Sequence, residues 1–165
     1  MKTLFVLRHA KSSWDHPELS DFQRPLNPRG KRAAPRIGAE MTARGYEPKL
    51  VLSSSAERAK ETTRLVLEGA GIEPEIRFDR EIYGAAANTL LYIVAQVPSN
   101  VGSVMIVGHN PGFEMLVAGL TGESRRMPTA ALAAIEFETE SWDQLEAGMG
   151  VLKDHLVPKE LKKSS

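Results

Sequence analysis

Apolar residues come in short unbroken runs along this chain, and each run ends abruptly in polar residues. Residues 4–7, 50–52 and 104–107 are continuously apolar rather than alternating, the pattern of strands covered on both faces of a parallel sheet. Weaker strand patterns lie at 75–78, 131–137 and 150–157. Between the runs the period becomes that of a helix. Ala34, Ile37, Gly38 and Met41 form one stripe, opened by Asn27-Pro28 as a cap with Pro at the first helical position and closed by Gly45. Pro35 falls inside that stripe and should kink the helix or shift its start. Ser54 and Glu57 fit a capping box for a helix reaching about Leu67. A further helix is expected over about 88–95, before Pro98, and Asn110-Pro111 repeats the cap-plus-Pro start.

Strands alternating with helical stretches predict an α/β fold: a three-layer sandwich with a mainly parallel central sheet and helices on both faces. No repeat, low-complexity tract or linker divides the chain, so one domain is expected over 1–158, with a polar tail at 159–165. The 165 residues, 42% hydrophobic and 25% charged, suffice for a substantial core. No apolar run approaches the roughly 20 residues of a membrane span. The run cut off by Arg8 is too brief for a signal peptide, and a cytoplasmic location is expected. Cysteine is absent, which excludes disulfides, thiolate metal sites and a cysteine nucleophile.

The zero net charge conceals an asymmetry. Residues 1–60 carry 12 Lys and Arg against 6 Asp and Glu, and the remainder carries the opposite balance. In a neutral protein a basic half suits a local anionic ligand better than a nucleic acid, which calls for a broad basic surface. Arg24, Arg29, Lys31, Arg32 and Arg36 read either as a docking surface for an acidic partner or as a solvated helix face.

The chemistry lies at the polar end of each strong run. The first ends in Arg8-His9, the second in a serine run at 53–55 with Arg58 one turn into the next helix, and the run at 104–107 in Gly108-His109-Asn110. Ligands of open α/β sheets bind beyond the carboxyl ends of the strands, so one crevice should receive two Arg and two of the four His. Each strand end also adjoins a helix start, where free N–H groups favour an anion. Guanidiniums clamp phosphate through paired, charge-assisted bonds. A neutral imidazole offers a lone pair to phosphorus, and a protonated one stabilises the charge that spreads over the transferring oxygens. Other chemistries fit less well: neither His pair has zinc-ligand spacing, no Walker loop is present, and the serine run lacks the glycines of a nucleophile elbow. Singly, each residue reads as structural, a His closing a strand, an Arg on a helix surface, serines capping a helix. The set of them points to phosphate.

The same residues carry a family resemblance. "LRHAKSSW" resembles the Arg-His-Gly signature of the histidine phosphatase superfamily, the phosphoglycerate mutase-like fold. "SSSAERAKET" resembles its second signature and "VGHNPGF" the segment of its second catalytic His, with the likeness running from residue 1 to about 157. With "DFQRPLNPRG", the chain looks most like the short SixA-type phosphohistidine phosphatases. By that resemblance His9 is the nucleophile of a metal-independent phosphatase without cofactor. Arg8, Arg58 and His109 would form the phosphate pocket, with Arg24 and Ser12 as further substrate or phosphate contacts. The implied substrate is phosphohistidine on a partner protein. Small phosphate esters, hydrolysed or isomerised, are the alternative, and a silent phosphate-binding module is a third reading. No nucleic-acid or membrane partner is implied, and the oligomeric state stays open, a monomer being compatible.

Departures from the family pattern fall at three places. Ala10 stands where the signature has Gly, and Asp15 where the mutases carry a phosphate-touching Asn, so Asp15 should point away or act differently. The proton-donating Glu of larger members falls on Arg80 when Gly84 is the anchor, leaving Glu81 as the candidate acid or as an exposed loop carboxylate. A phosphoramidate leaving group needs less acid assistance than an alcohol, so a missing acid would itself favour phosphohistidine. His16 reads as a bystander near the entrance and His155 as structural.

Overall fold

The computed structural model describes residues 1–161. Strand β1 (Lys2–Arg8) is followed by helix α1 (Pro28–Ala43), β2 (Leu50–Ser54), α2 (Glu57–Ala70), β3 (Glu75–Asp79) and α3 (Ala87–Ala95). Then come β4 (Ser103–Gly108), α4 (Gly112–Thr121), β5 (Leu132–Phe137) and β6 (Val151–Leu156). These strands form one sheet in the order β3-β2-β4-β1-β5-β6. The first four in that order are parallel, and β5 and β6 are added antiparallel.

Period-two alternation sorts the continuous apolar runs into two cores. Leu4, Val6, Leu50, Leu52, Val104 and Ile106 pack with α3 and α4, whose Leu90, Val94, Phe113, Leu116 and Val117 are buried there. Phe5, Leu7, Val51, Met105 and Val107 pack with α1 and α2 through Ala34, Ile37, Met41, Ala59 and Val66. The expected three layers are therefore present, and edge strand β3 is the exposed exception.

Helices α1 and α2 meet backbone to backbone. A Cβ built on Gly38 would lie 1.9 Å from the carbonyl oxygen of Val66, and one on Gly69 would lie 2.1 Å from that of Pro35. Both obstacles are backbone and cannot swing aside. Gly38→Ala is therefore expected to destabilise the fold by about 2 kcal/mol or more, the usual scale of overpacking, as a lower midpoint in urea with an unchanged slope. An unchanged midpoint would contradict this packing.

Several expectations are corrected. Pro35 does not displace the start of α1, which runs from Pro28 through it to Ala43 under the Asn27 cap, with Asn27 Oδ1 accepting from Gly30 N–H. Pro35 marks where the two helices meet, its carbonyl oxygen lying 2.1 Å from where a Cβ on residue 69 would stand. The Ser54–Glu57 capping box does not form. The strand continues through Ser54, the cap position falls on Ala56, and Ser54 Oγ accepts from Ala56 N–H and pairs with His109 instead. Likewise α4 starts after Pro111 rather than Asn110, whose side chain turns to Glu114 and to the Met127 carbonyl. At the C-terminal end, Pro158–Glu160 forms a turn, and Leu161 packs on the α1/α2 core while its carbonyl accepts from Arg36. The rest of the expected tail, 162–165, lies outside the described residues.

Strand register positions the chemistry. Arg8 pairs with Gly108 and Ser53 with Val107, so β1, β4 and β2 finish side by side at one sheet edge. His9 and His109 are the next residues of adjacent strands, and α2 begins just beyond β2.

Candidate functional site

The two histidines that leave β1 and β4 face each other with ring centroids 5.1 Å apart, and both are buried. His9 Nδ1 lies 2.7 Å from the Ala10 carbonyl. A carbonyl only accepts, so Nδ1 carries the proton and Nε2 keeps its lone pair. At His109 the arrangement is reversed. Arg58 Nη2, a donor, faces its Nδ1 at 3.4 Å, and Nε2–H has Ser54 Oγ at 2.8 Å. Both imidazoles are therefore held neutral in different tautomers.

Burial reinforces this. The pKa of His9 is pushed down to about 3 by loss of solvent, with His109, Arg58 and Arg8 adding to it against the Ala10 hydrogen bond. That of His109 is pushed down to about 4 by burial and then by Arg58, partly offset by Asp21. Unfolded, both rings protonate near 6.5. The unfolded chain thus binds protons that the folded chain refuses, and stability should fall as pH drops below 6.5. The slope approaches about 1.4 kcal/mol per pH unit for each fully differential histidine. Thermal melts from pH 7 to pH 5 should show a steadily falling Tm; a flat profile would contradict the buried neutral pair.

The arginines come from two elements. Arg8, last in β1, donates from Nη1 to the Met127 carbonyl at 3.1 Å, and Met127 N–H is fixed in turn on Glu114 Oε1. Asn110 Nδ2 donates to the same Met127 carbonyl at 2.9 Å, so the residue after His109 helps to seat Arg8. Arg58, in the first turn of α2, donates from Nη1 to the Asp21 carbonyl at 2.6 Å and from Nη2 to Asp21 Oδ2 at 3.0 Å. The Nε–H groups of Arg8 and Arg58 are buried without a protein acceptor among the described residues. Orphan buried donors are costly, and two cationic ones beside two imidazoles suit the oxygens of an anion.

Thr62 ties the two halves together: its Oγ accepts from Ala10 N–H at 2.9 Å and donates to the Arg58 carbonyl at 2.7 Å. His9 is further fixed by its own N–H on the Gly108 carbonyl and by its carbonyl on Ala130 N–H.

The remaining expected residues are spread around this centre. Arg24 is buried beside the site, donating to Asp21 Oδ1 at 3.2 Å and to Ser12 Oγ at 2.8 Å, with its guanidinium 3.5 Å from the exposed Trp14 ring. Ser12 thus meets Arg24 rather than His9. Glu81 is exposed in the turn after β3, its N–H on Asp79, and is not among the partners of the four strand-end residues. Asp15 is exposed, as is His16, which lies 3.6 Å from Glu18, while His155 Nε2 meets the Arg126 carbonyl. The basic cluster divides. Arg24 and Arg36 are committed inward, and Arg29, Lys31 and Arg32 are exposed on the first turns of α1. Among the described residues, no group of three or more His, Asp or Glu is arranged to hold a metal ion, and no helix is long and apolar enough to cross a membrane. A groove of about 1250 Å³ between α2 and β3 contains none of the four strand-end residues.

Sequence reasoning missed Asp21 and Tyr83. The Tyr83 hydroxyl donates to Asp21 Oδ2 at 2.5 Å, and its ring stands edge-on to His109, 5.3 Å between centroids. The three-residue spacing of Asp21 and Arg24 was the one available signal, and it says nothing of Arg58.

Residues 4–83 match the family model of the histidine phosphatase superfamily (branch 1). An uncharacterised protein of Mycobacterium tuberculosis is 31% identical over 164 residues, spanning 93% of this chain and all of the relative. The crystal structure of a candidate phosphohistidine phosphatase SixA from Agrobacterium tumefaciens is 32% identical, covers 95% of this chain and 98% of its own, and superposes with a TM-score of 0.82. A protein histidine phosphatase SixA complexed with tungstate shares the fold at a TM-score of 0.83 and 24% identity, covering 97% of this chain and 99% of its own. These matches place the chain among the phosphatases of the phosphoglycerate mutase-like α/β fold. It belongs to the histidine phosphatase superfamily, in the SixA-type branch.

Proposed function

We propose that this chain removes phosphoryl groups from phosphohistidine on a partner protein, by way of a phosphoryl group carried on its own His9. The observation that carries this reading is the tautomer of His9. With Nδ1–H committed to Ala10, the Nε2 lone pair is free at neutral pH, beside Arg8, Arg58 and His109. In the first half-reaction Nε2 bonds to phosphorus as the P–N bond of the substrate breaks, and the departing imidazole nitrogen takes up a proton from solvent. In the second, a water oxygen bonds to phosphorus, the Nε2–P bond breaks, and the water proton leaves with the phosphate or the solvent. His9 then departs as a neutral imidazole, because Nδ1 has kept its proton throughout.

Arg8 and Arg58 supply guanidinium donors for the phosphoryl oxygens. His109, neutral in the free protein, becomes imidazolium beside a phosphate dianion, whose charge raises its pKa. The exposed position of Glu81, which is not among the partners of the four strand-end residues described, favours a phosphoramidate over an alcohol leaving group, whose alkoxide would need an acid to protonate it.

The test compares kcat/KM on a phosphohistidine protein, on 3-phosphoglycerate and on an aryl phosphate. The phosphohistidine protein should be preferred by orders of magnitude. Preference for the small ester would select the alternative substrate class, and phosphate binding without turnover of any of the three would revive the silent module.

A further inference from the structure

Among the described residues the Asp21 carboxylate is the acidic group bonded to Arg58, and the phosphoryl transfer through His9 leaves it without a task. Asp21 lies on the loop between β1 and α1 yet binds Arg58 twice, through its carbonyl and through Oδ2. The same carboxylate takes the Tyr83 hydroxyl and Arg24 Nε–H. Donors from α2, from the turn after β3 and from its own loop thus converge on a side chain that is half exposed. With Arg58 buried and Asp21 half exposed, the pair offsets part of the cost of burying a guanidinium. The geometry has a more direct effect on Arg58. Its Nη1 and Nη2 are both engaged, Nη2 lies between Asp21 Oδ2 at 3.0 Å and His109 Nδ1 at 3.4 Å, and its Nε–H remains without a protein acceptor among the described residues. Anchored at both terminal nitrogens, the planar guanidinium cannot rotate about its own axis.

Resting on the function proposed for His9, we infer that Asp21 is a positioning residue, fixing the plane of the Arg58 guanidinium for phosphoryl transfer. Asp21 is held ionised, its pKa pushed down to about 2 chiefly by the Tyr83 hydroxyl and then by Arg58 and Arg24 against partial burial. It therefore provides fixed charge rather than a proton, and does not stand in for the acid sought at Glu81. The groups facing His109 are Arg58 from α2, Arg8 and His9 at the end of β1, Ser54 from β2, Tyr83, and Asp21 as the carboxylate among them. Asp21 thus also favours the imidazolium form of His109 against the two arginines.

The experiment is steady-state kinetics of Asp21→Asn against pH, using phosphoramidate and para-nitrophenyl phosphate as probes. The amide keeps an acceptor and loses the charge. Turnover should fall about tenfold or more without a rise in KM, because removing a negative charge beside an anion site does not weaken ground-state binding. The alkaline limb of kcat should move to lower pH, since His109 loses the charge that favours its protonated form. Asp21→Glu, which keeps the charge, should hold that limb at its wild-type position. A lower Tm with kcat and its pH profile unchanged, or a rise in KM alone, would overturn the inference. Failure of the wild-type protein to turn over either probe would instead remove the phosphatase reading, and this inference with it.

Discussion

Replacing His9 by alanine is expected to lower turnover by about 10⁴-fold or more, the scale on which losing a covalent nucleophile is felt. The substitution should leave the fold standing: the backbone N–H and C=O of His9 keep their partners in Gly108 and Ala130, and the imidazole that is removed is buried and neutral. The stability of the variant should even lose part of its acid sensitivity, because one of two groups that resist protonation is gone. Two measurements make the result specific. The wild-type protein, quenched in alkali during turnover of a phosphohistidine protein, should carry an acid-labile phosphate that peptide mapping places on His9. His9→Ala should carry none. Wild-type activity in His9→Ala would end the proposed chemistry, whatever else the site retained.

Arg58→Ala ranks second. Removing one preorganised charged donor from a transferring group costs roughly 10²- to 10³-fold in rate, and here the side chain also holds Asp21 and faces His109 Nδ1. The effect should therefore sit at the upper end and appear mainly in kcat. Arg58→Lys should recover little of it. A single ammonium cannot reach the Asp21 carbonyl, the Asp21 carboxylate and a phosphoryl oxygen with a fixed fork of donors. A second consequence separates positioning from simple loss of charge. Arg58 helps to keep His109 deprotonated, so in Arg58→Ala the His109 pKa should rise from about 4 toward its ordinary value, measurable by the proton NMR titration of its ring. An unmoved His109 alongside full activity would contradict the geometry on which the site is built.

Much of this architecture was legible in residue order, and its limits reflect what local sequence encodes. The continuous runs at 4–7, 50–52 and 104–107 announced strands buried on both faces, since only a sheet covered twice has no polar side. Ligand placement at carboxyl strand ends then brought Arg8, His9, Arg58 and His109 to one edge, and the fold does gather them there. What stayed hidden depends on contacts between distant segments. Ser54 looked like a helix cap because serine before an Ala-Glu stretch usually is one, yet its hydroxyl meets a histidine 55 residues away. Asp21 reads from sequence only as one residue of a polar loop, and its grip on Arg58 depends on how the β1–α1 loop folds over α2. That Pro35 lies where α2 comes closest, against Gly69, is likewise a contact which no pattern within α1 reveals.

The hydroxyl of Thr62 has a consequence for how such a protein diversifies. Because it joins Ala10 N–H to the Arg58 carbonyl, the separation between the His9–Ala10 segment and the first turn of α2 is fixed between backbone groups inside the fold. On the proposed chemistry, the gap between His9 and Arg58 would then be the same for any phosphorylated substrate, and discrimination would fall to groups outside it, such as the exposed Trp14 and the exposed Arg29, Lys31 and Arg32 of α1. Substitutions among those exposed groups would then alter which substrate is favoured without moving the donors behind them, because the Thr62 tie does not involve them.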